Sequence, residues 1–220
     1  MKTLYAPIVF VACAFAAHSA YAQPKPPLPG MTAPQATKVA APAVAVPAAT
    51  GKLTLIGDGA TVLSTDGKLI WMRCSIGQRF EAGQCLGDPK KVDHRDAANE
   101  IKRLNLSGGY AGSKAWRLPT VAELQSIVFC DQGFSDRQQT VKLAGNQSLA
   151  LLSACKGESY LRPTIDPIIF PSAGKEWVWS STPDIDKVLN MWAVNFASGS
   201  PAPIGRHNNQ TSVRAVRNAQ

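Results

Sequence analysis

The chain has 220 residues, 45% of them hydrophobic and 17% charged, with 23 Lys and Arg against 15 Asp and Glu and a net charge of +8. That length is enough to bury a substantial core, and beyond the N-terminus no stretch reaches the roughly 18 uninterrupted apolar residues that a membrane helix needs. The basicity comes without a nucleic-acid-binding motif, and neither G-x-S-x-G nor H-E-x-x-H is present to indicate a hydrolase.

The first segments in chain order concern export and spacing. MKTLYAPIVFVACAFAAHSAYAQ has an early Lys2, an apolar run from about Leu4 to Ala17 and a small-x-small site at Ala20-Tyr21-Ala22. That is the pattern of a secretory signal peptide over residues 1–22. A second reading makes FVAC a lipoprotein box with Cys13 as the lipidated residue, for which Phe10 is a poor start. Residues 23–50 hold seven prolines and eight alanines and read as an extended, Pro/Ala-rich disordered linker. The folded domain is expected over residues 51–220, in the periplasm, on the outer surface or secreted.

In that oxidising setting Cys74, Cys85, Cys130 and Cys155 form an even set, so two disulfides are expected. Three pairings are open. The sequence-local one, Cys74 with Cys85 and Cys130 with Cys155, is favoured because turn-rich segments separate the partners.

KLTLIG, ATVLST and KLIWMR read as short strands, the last two separated by the turn signal Asp66-Gly67. VDHRDAANEIKRLN predicts a helix with Asp93 as N-cap and Ala97, Ala98, Ile101 and Leu104 on one face, ended by Gly108 and Gly109. In AWRLPTVAELQSIVFC, Pro119 stops a strand, and Thr120 with Glu123 fits the capping box T-x-x-E, predicting a second helix over Val121–Phe129. EWVWSST follows as a strand. VLNMWAVNF alternates, with Val188, Asn190, Trp192, Val194 and Phe196 on one face. Turn-rich ASGSPAPIGRHNN then joins it to a last strand, TSVRAVR, as a long hairpin. Strands, two helices and more strands in that order argue for an α+β domain.

DGKLIWMRCSIGQRFEAGQC, AWRLPTVAELQSIV, WVWSST, MWAVNFASG and VRAVR occur in one order across most of Thr54 to Arg217. In this the chain resembles the C-terminal domain family of the Legionella collagen-like protein. The resemblance implies a C-type-lectin-like fold, a small irregular antiparallel sheet flanked by two helices, with the N- and C-terminal strands paired. It also implies a domain that binds sulfated glycosaminoglycans as a homotrimer. The collagen Gly-X-Y repeat of that protein is absent here, and a Pro/Ala tether stands in its place.

The chemistry legible in the residues is that of binding. The E-P-N or Q-P-D and W-N-D motifs of calcium-dependent lectins are absent, and Asp184 and Asp186 read as a solvated turn, so no metal or cofactor is expected. The ligand candidates are basic: Arg79, Lys90, Lys91, Arg206, His207 and Arg214. Guanidinium forks match sulfate and carboxylate, and clustered positive charge attracts polyanions. Arg214 or Arg217 has an alternative role in structural hydrogen bonds, and Lys102 and Arg103 already suit a helix C-terminus. Trp116, Arg117, Pro119, Thr120 and Glu123 read as a structural motif, with Arg117 as a buried fork. Trp71, Trp116, Trp177, Trp179 and Trp192 read mostly as core.

These features add up to an exported, non-enzymatic binding module, adhesin-like, for an anionic sulfated polysaccharide or surface glycan. One alternative is a structural or protein-interaction domain of an envelope assembly. Another is a cysteine-based oxidase related to the formylglycine-generating enzymes, which the cysteines' reading as disulfides disfavours. Nucleic acid is not an expected partner.

Overall fold

The computed structural model describes residues 53–219; the signal peptide expected over 1–22 and the linker expected over 23–50 lie outside them. Three apolar tetrapeptides, β1 (Leu53–Ile56), β2 (Thr61–Ser64) and β3 (Leu69–Met72), form an antiparallel meander. The Asp66 carboxylate closes its second turn by accepting from the Ser64 hydroxyl and the Lys68 amide. The last strand, β13 (Val216–Asn218), returns to complete this sheet antiparallel to β3, with Val216 opposite Trp71. The N- and C-terminal strands therefore share one sheet.

A second sheet runs in the order β11-β10-β9-β12-β6. Its members are β6 (Lys91–Val92), β9 (Trp177–Pro183), β10 (Asn190–Asn195), β11 (Ser200–Gly205) and β12 (Thr211–Ser212). All pairs are antiparallel except β9 with β12. Two hairpins lie outside these sheets: β4 (Arg79–Glu81) with β5 (Gln84–Leu86), and β7 (Gln138–Lys142) with β8 (Ser148–Leu152).

The cysteines take the sequence-local pairing, Cys74–Cys85 and Cys130–Cys155. Cys130–Cys155 encloses the β7–β8 hairpin, and Cys74–Cys85 ties the middle of β5 to the residue two past the end of β3. Loops of 11 and 25 residues contribute about 3 kcal/mol each in the chain-entropy picture.

The two helices start as their sequences dictate. Asp93 caps α1 (His94–Leu106) by accepting the Asp96 amide at 2.8 Å. Thr120 caps α2 (Val121–Ser126) with the full capping box. Ala97 and Ile101 of α1 enter a core with Ile70, Met72, Trp116 and Trp179, whereas Val121 and Leu124 of α2 enter another with Trp71, Trp192 and Phe196. No helix among the described residues is long and apolar enough to cross a membrane.

Four expectations need correction. The second helix stops at Ser126 rather than Phe129, because the Ile127 amide turns back to Leu124 and the Phe129 amide donates instead to Thr164. Val188 and Leu189 are not strand residues; Asp184 and Asn190 pair through their backbones and close a turn around them. ASGSPAPIGRHNN does not join VLNMWAVNF and TSVRAVR as one long hairpin, since Ser200–Gly205 is itself a strand that pairs with β10 alone. As an edge strand it tolerates Pro201 and Pro203, which cannot donate to a ladder. Finally, TSVRAVR is two strands, β12 in one sheet and β13 in the other, with Arg214 at the crossing.

Candidate functional site

Arg117, expected as a buried fork, is a fork but keeps its side chain 38% exposed, and it is structural all the same. Its two terminal nitrogens donate to the two oxygens of Glu123, each at 2.8 Å, and also reach the Leu118 carbonyl and the Asn218 side chain. Glu123 accepts the Thr120 amide at 2.7 Å. Burial pushes the Glu123 carboxyl up, but the Arg117 guanidinium and the Thr120 amide hold it below the usual carboxylate range. The Arg117 backbone pairs both ways with Val216. One constellation thus caps α2 and ties it to the C-terminal strand. Trp116 is buried and donates its indole N–H to the Tyr110 carbonyl, and buried Pro119 gives its carbonyl to the Ser181 amide.

Arg214, expected among the ligand candidates, is 2% exposed. Its guanidinium donates to the Met72 carbonyl at 3.1 Å, the Arg73 carbonyl at 2.6 Å and the Ser75 hydroxyl at 3.1 Å, and lies over the Phe170 ring. Burial pulls its pKa down to about 10. Arg73 is buried as well and bonds to the carbonyls of Gly59, Ile168 and Ile169. Neither presents a guanidinium to a surface ligand; together they bind the crossing between the sheets to the loops that cover it.

Among the described residues an open groove of about 660 Å³ lies beside α1. Met72 and Ile76 from the end of β3 and Leu104 and Tyr110 from the end of α1 give it an apolar floor, and Gln78, Glu100 and Arg103 line its polar side. Burial raises the Tyr110 hydroxyl to about 12, and it donates to the Ala60 carbonyl. Glu100, its side chain 11% exposed, accepts from both Lys90 and Arg103, which stay 48% and 59% exposed. Burial raises the Glu100 carboxyl, but the two cations outweigh it and keep it below the carboxylate range. Two cations share one anion, so the rim keeps a net positive charge, and most of the ammonium and guanidinium donors face solvent.

The remaining candidates divide around this groove. Arg79 lies beside Gln78 on β4 and makes an exposed pair with Glu81 at 2.7 Å. Lys91 is exposed on the edge strand β6. Arg206 and His207 sit at the other end of α1, where the His94 amide donates to the Arg206 carbonyl. Arg206 is half-buried, its Nη2 at 3.8 Å from the Met191 sulfur, and His207 is exposed. The structure thus joins Lys90 to Arg103, which the sequence assigned to the helix terminus, at Glu100 midway along α1, whereas Arg206 and His207 sit at its N-terminal end. Sequence reasoning missed the groove altogether.

Of the tryptophans, Trp71, Trp116, Trp179 and Trp192 are buried and Trp177 is half-buried. Asp184 is buried within its own turn and Asp186 pairs with Lys142 at 3.0 Å. Among the described residues no cluster of His, Cys, Asp and Glu could hold a metal ion. All four cysteines among the described residues are bridged, which leaves the cysteine-based oxidase reading without a thiol. The model of one protein family, the Lcl C-terminal domain, matches residues 60–217. No curated protein matches the chain.

Proposed function

The chain belongs to the Lcl C-terminal domain family, and from that premise we propose that it is an exported, non-enzymatic, adhesin-like binding module that recognises an anionic, sulfated polysaccharide in the groove beside α1. The carrying observation is the rim: Lys90 and Arg103 held side by side on one largely buried carboxylate, over an apolar floor. The fixed carboxylate orders two flexible side chains before a ligand arrives, so less freedom is lost on binding. The apolar floor suits the C–H face of a sugar ring, and the cations suit its sulfates. Arg79 on β4 and Lys91 on β6 add exposed cations, and Arg206 and His207 at the N-terminal end of α1 lie within the reach of a polymer.

The C-type-lectin-like fold belongs to the same reading. It is supported by the shared sheet of the first and last strands, by the two disulfides and by helices packed on separate cores. The trimer implied by the family resemblance is checked by light scattering of the purified protein. The polysaccharide reading is tested by titrating the protein with heparin and with chemically desulfated heparin. Binding to the first and not the second is expected; equal binding to both would refute a charge-reading site. A second reading, an envelope protein as partner, draws on Leu106, which is three-quarters exposed at the edge of the groove. Capture of one envelope protein that heparin fails to displace would favour it.

A further inference from the structure

We propose that the turn between β9 and β10, residues 184–190, is a lipid-contact tip that enters the interface of an anionic membrane surface. Val188 is 78% exposed and Leu189 64%, and Ile185 is exposed beside them. Single exposed apolar side chains need no explanation, but three within seven residues at one hairpin end form a patch.

The tip is pre-built. Buried Asp184 accepts the Asp186 amide on one carboxylate oxygen and the Asn190 side-chain amide on the other. The backbone amides of Asp184, Lys187 and Asn190 donate to the carbonyls of Asn190, Asp184 and Lys187 respectively. Internal pairing of this kind is what a turn needs in order to approach acyl chains, because an unpaired peptide group is costly there. The apolar side chains are therefore displayed on a turn whose Asp184, Asp186, Lys187 and Asn190 amides are paired internally.

Charge selects the partner. Both acids of the turn are engaged, Asp184 in the turn itself and Asp186 with Lys142 of β7. Among the described residues no ion pair holds Lys187. The Arg206 amide donates to the Leu189 carbonyl, which sets Arg206 and His207 beside the tip. Aliphatic side chains with a basic collar fit an acyl boundary beneath anionic headgroups. A protein hot spot favours aromatic residues and is poor in Val and Leu, and this tip has no aromatic residue. The apolar tip, its internal pairing and Lys187 are not used in the polysaccharide reading; only Arg206 and His207 are common to both.

The test is co-sedimentation of the untruncated protein with sucrose-loaded vesicles, either of pure phosphatidylcholine or of equal parts phosphatidylcholine and phosphatidylglycerol. The protein should pellet with the mixed vesicles; V188D/L189D should cut that partitioning by at least about tenfold, and K187E by about fivefold. Heparin retention and urea midpoints of these variants should match the parent, which separates this claim from the polysaccharide reading and from loss of fold. In a V188W variant the new indole should shift its emission to shorter wavelength on mixed vesicles. Parent and V188D/L189D pelleting alike, no pelleting of the parent, or an unmoved V188W emission overturns the proposal. Pelleting lost in K90A/R103A but kept in V188D/L189D assigns the lipid contact to the groove and also overturns it.

Discussion

At the crossing between the two sheets, Arg73 and Arg214 direct their guanidinium groups at carbonyls of Gly59, Ile168, Ile169, Met72 and Arg73. Along α1, Lys90 and Arg103 share one carboxylate and leave most of their donors in water. The residue types are alike, yet the first pair holds the fold and the second stays about half exposed, at the groove proposed as the polyanion site. What separates them is the neighbouring backbone. Where the chain changes sheets, carbonyls are left outside the ladders, and a buried arginine with five donors satisfies several at once. On a solvated helix those carbonyls are already paired within the helix, and the cations remain available.

Substitutions should fall on one side or the other of this division. The largest effect is expected for Arg214→Met, which keeps the volume but orphans the Met72 and Arg73 carbonyls: a loss of about 3 kcal/mol, read as a lower urea midpoint. The folded fraction should still bind heparin as the parent does. Arg117→Ala removes the fork on Glu123 and loosens the cap of α2, for about 1–3 kcal/mol, measured the same way.

A smaller effect should appear as a pH dependence. Burial lowers the His94 pKa below its usual value; the Ser180 carbonyl at 2.9 Å and Asp93 oppose this, while the positive charge of Arg206 adds to it. Between the unfolded value, about 6.5, and the depressed folded one, the unfolded chain binds the extra proton. Stability is therefore complete above that window and falls as pH drops through it. Glu123, also depressed, adds a second loss at lower pH, where its stabilising ionised form becomes protonated. Thermal midpoints of the parent and of His94→Asn between neutral and mildly acidic pH check the first step, and the variant should show a flatter profile. The smallest stability change, about 1 kcal/mol, is expected for K90A/R103A: both cations are about half exposed and contribute little themselves, and the cost comes from leaving the 11%-exposed Glu100 without its partners.

Much of the frame was legible because it is local. Asp93 caps α1 through an amide three residues on, Thr120 and Glu123 cap α2 across the same distance, and both disulfides close on nearby partners. Misreadings arose where tertiary context decides. Pro201 and Pro203 looked like turn residues, yet an edge strand accommodates them. The alternation through Val188 suggested a longer strand, yet the Asp184 turn takes that residue out of the sheet. Arg206 in turn-rich GRHNN and Arg214 in strand-like TSVRAVR differ locally, and a structural role was the alternative for Arg214; that it is the one buried, and not Arg217 on the same stretch, follows from the crossing between the sheets. The groove was illegible for the same reason, since Met72 and Ile76 meet Leu104 and Tyr110 only through packing.

The most direct test of the division between holding and binding cations is the salt concentration at which the protein leaves immobilised heparin, compared with its elution from a sulfonate resin of matched charge. K90A/R103A should leave heparin at clearly lower salt than the parent, with a smaller shift on the sulfonate resin, while its urea midpoint stays close to that of the parent. Equal displacement on both resins, or none on heparin, would contradict the assignment of the groove beside α1 as the polyanion site.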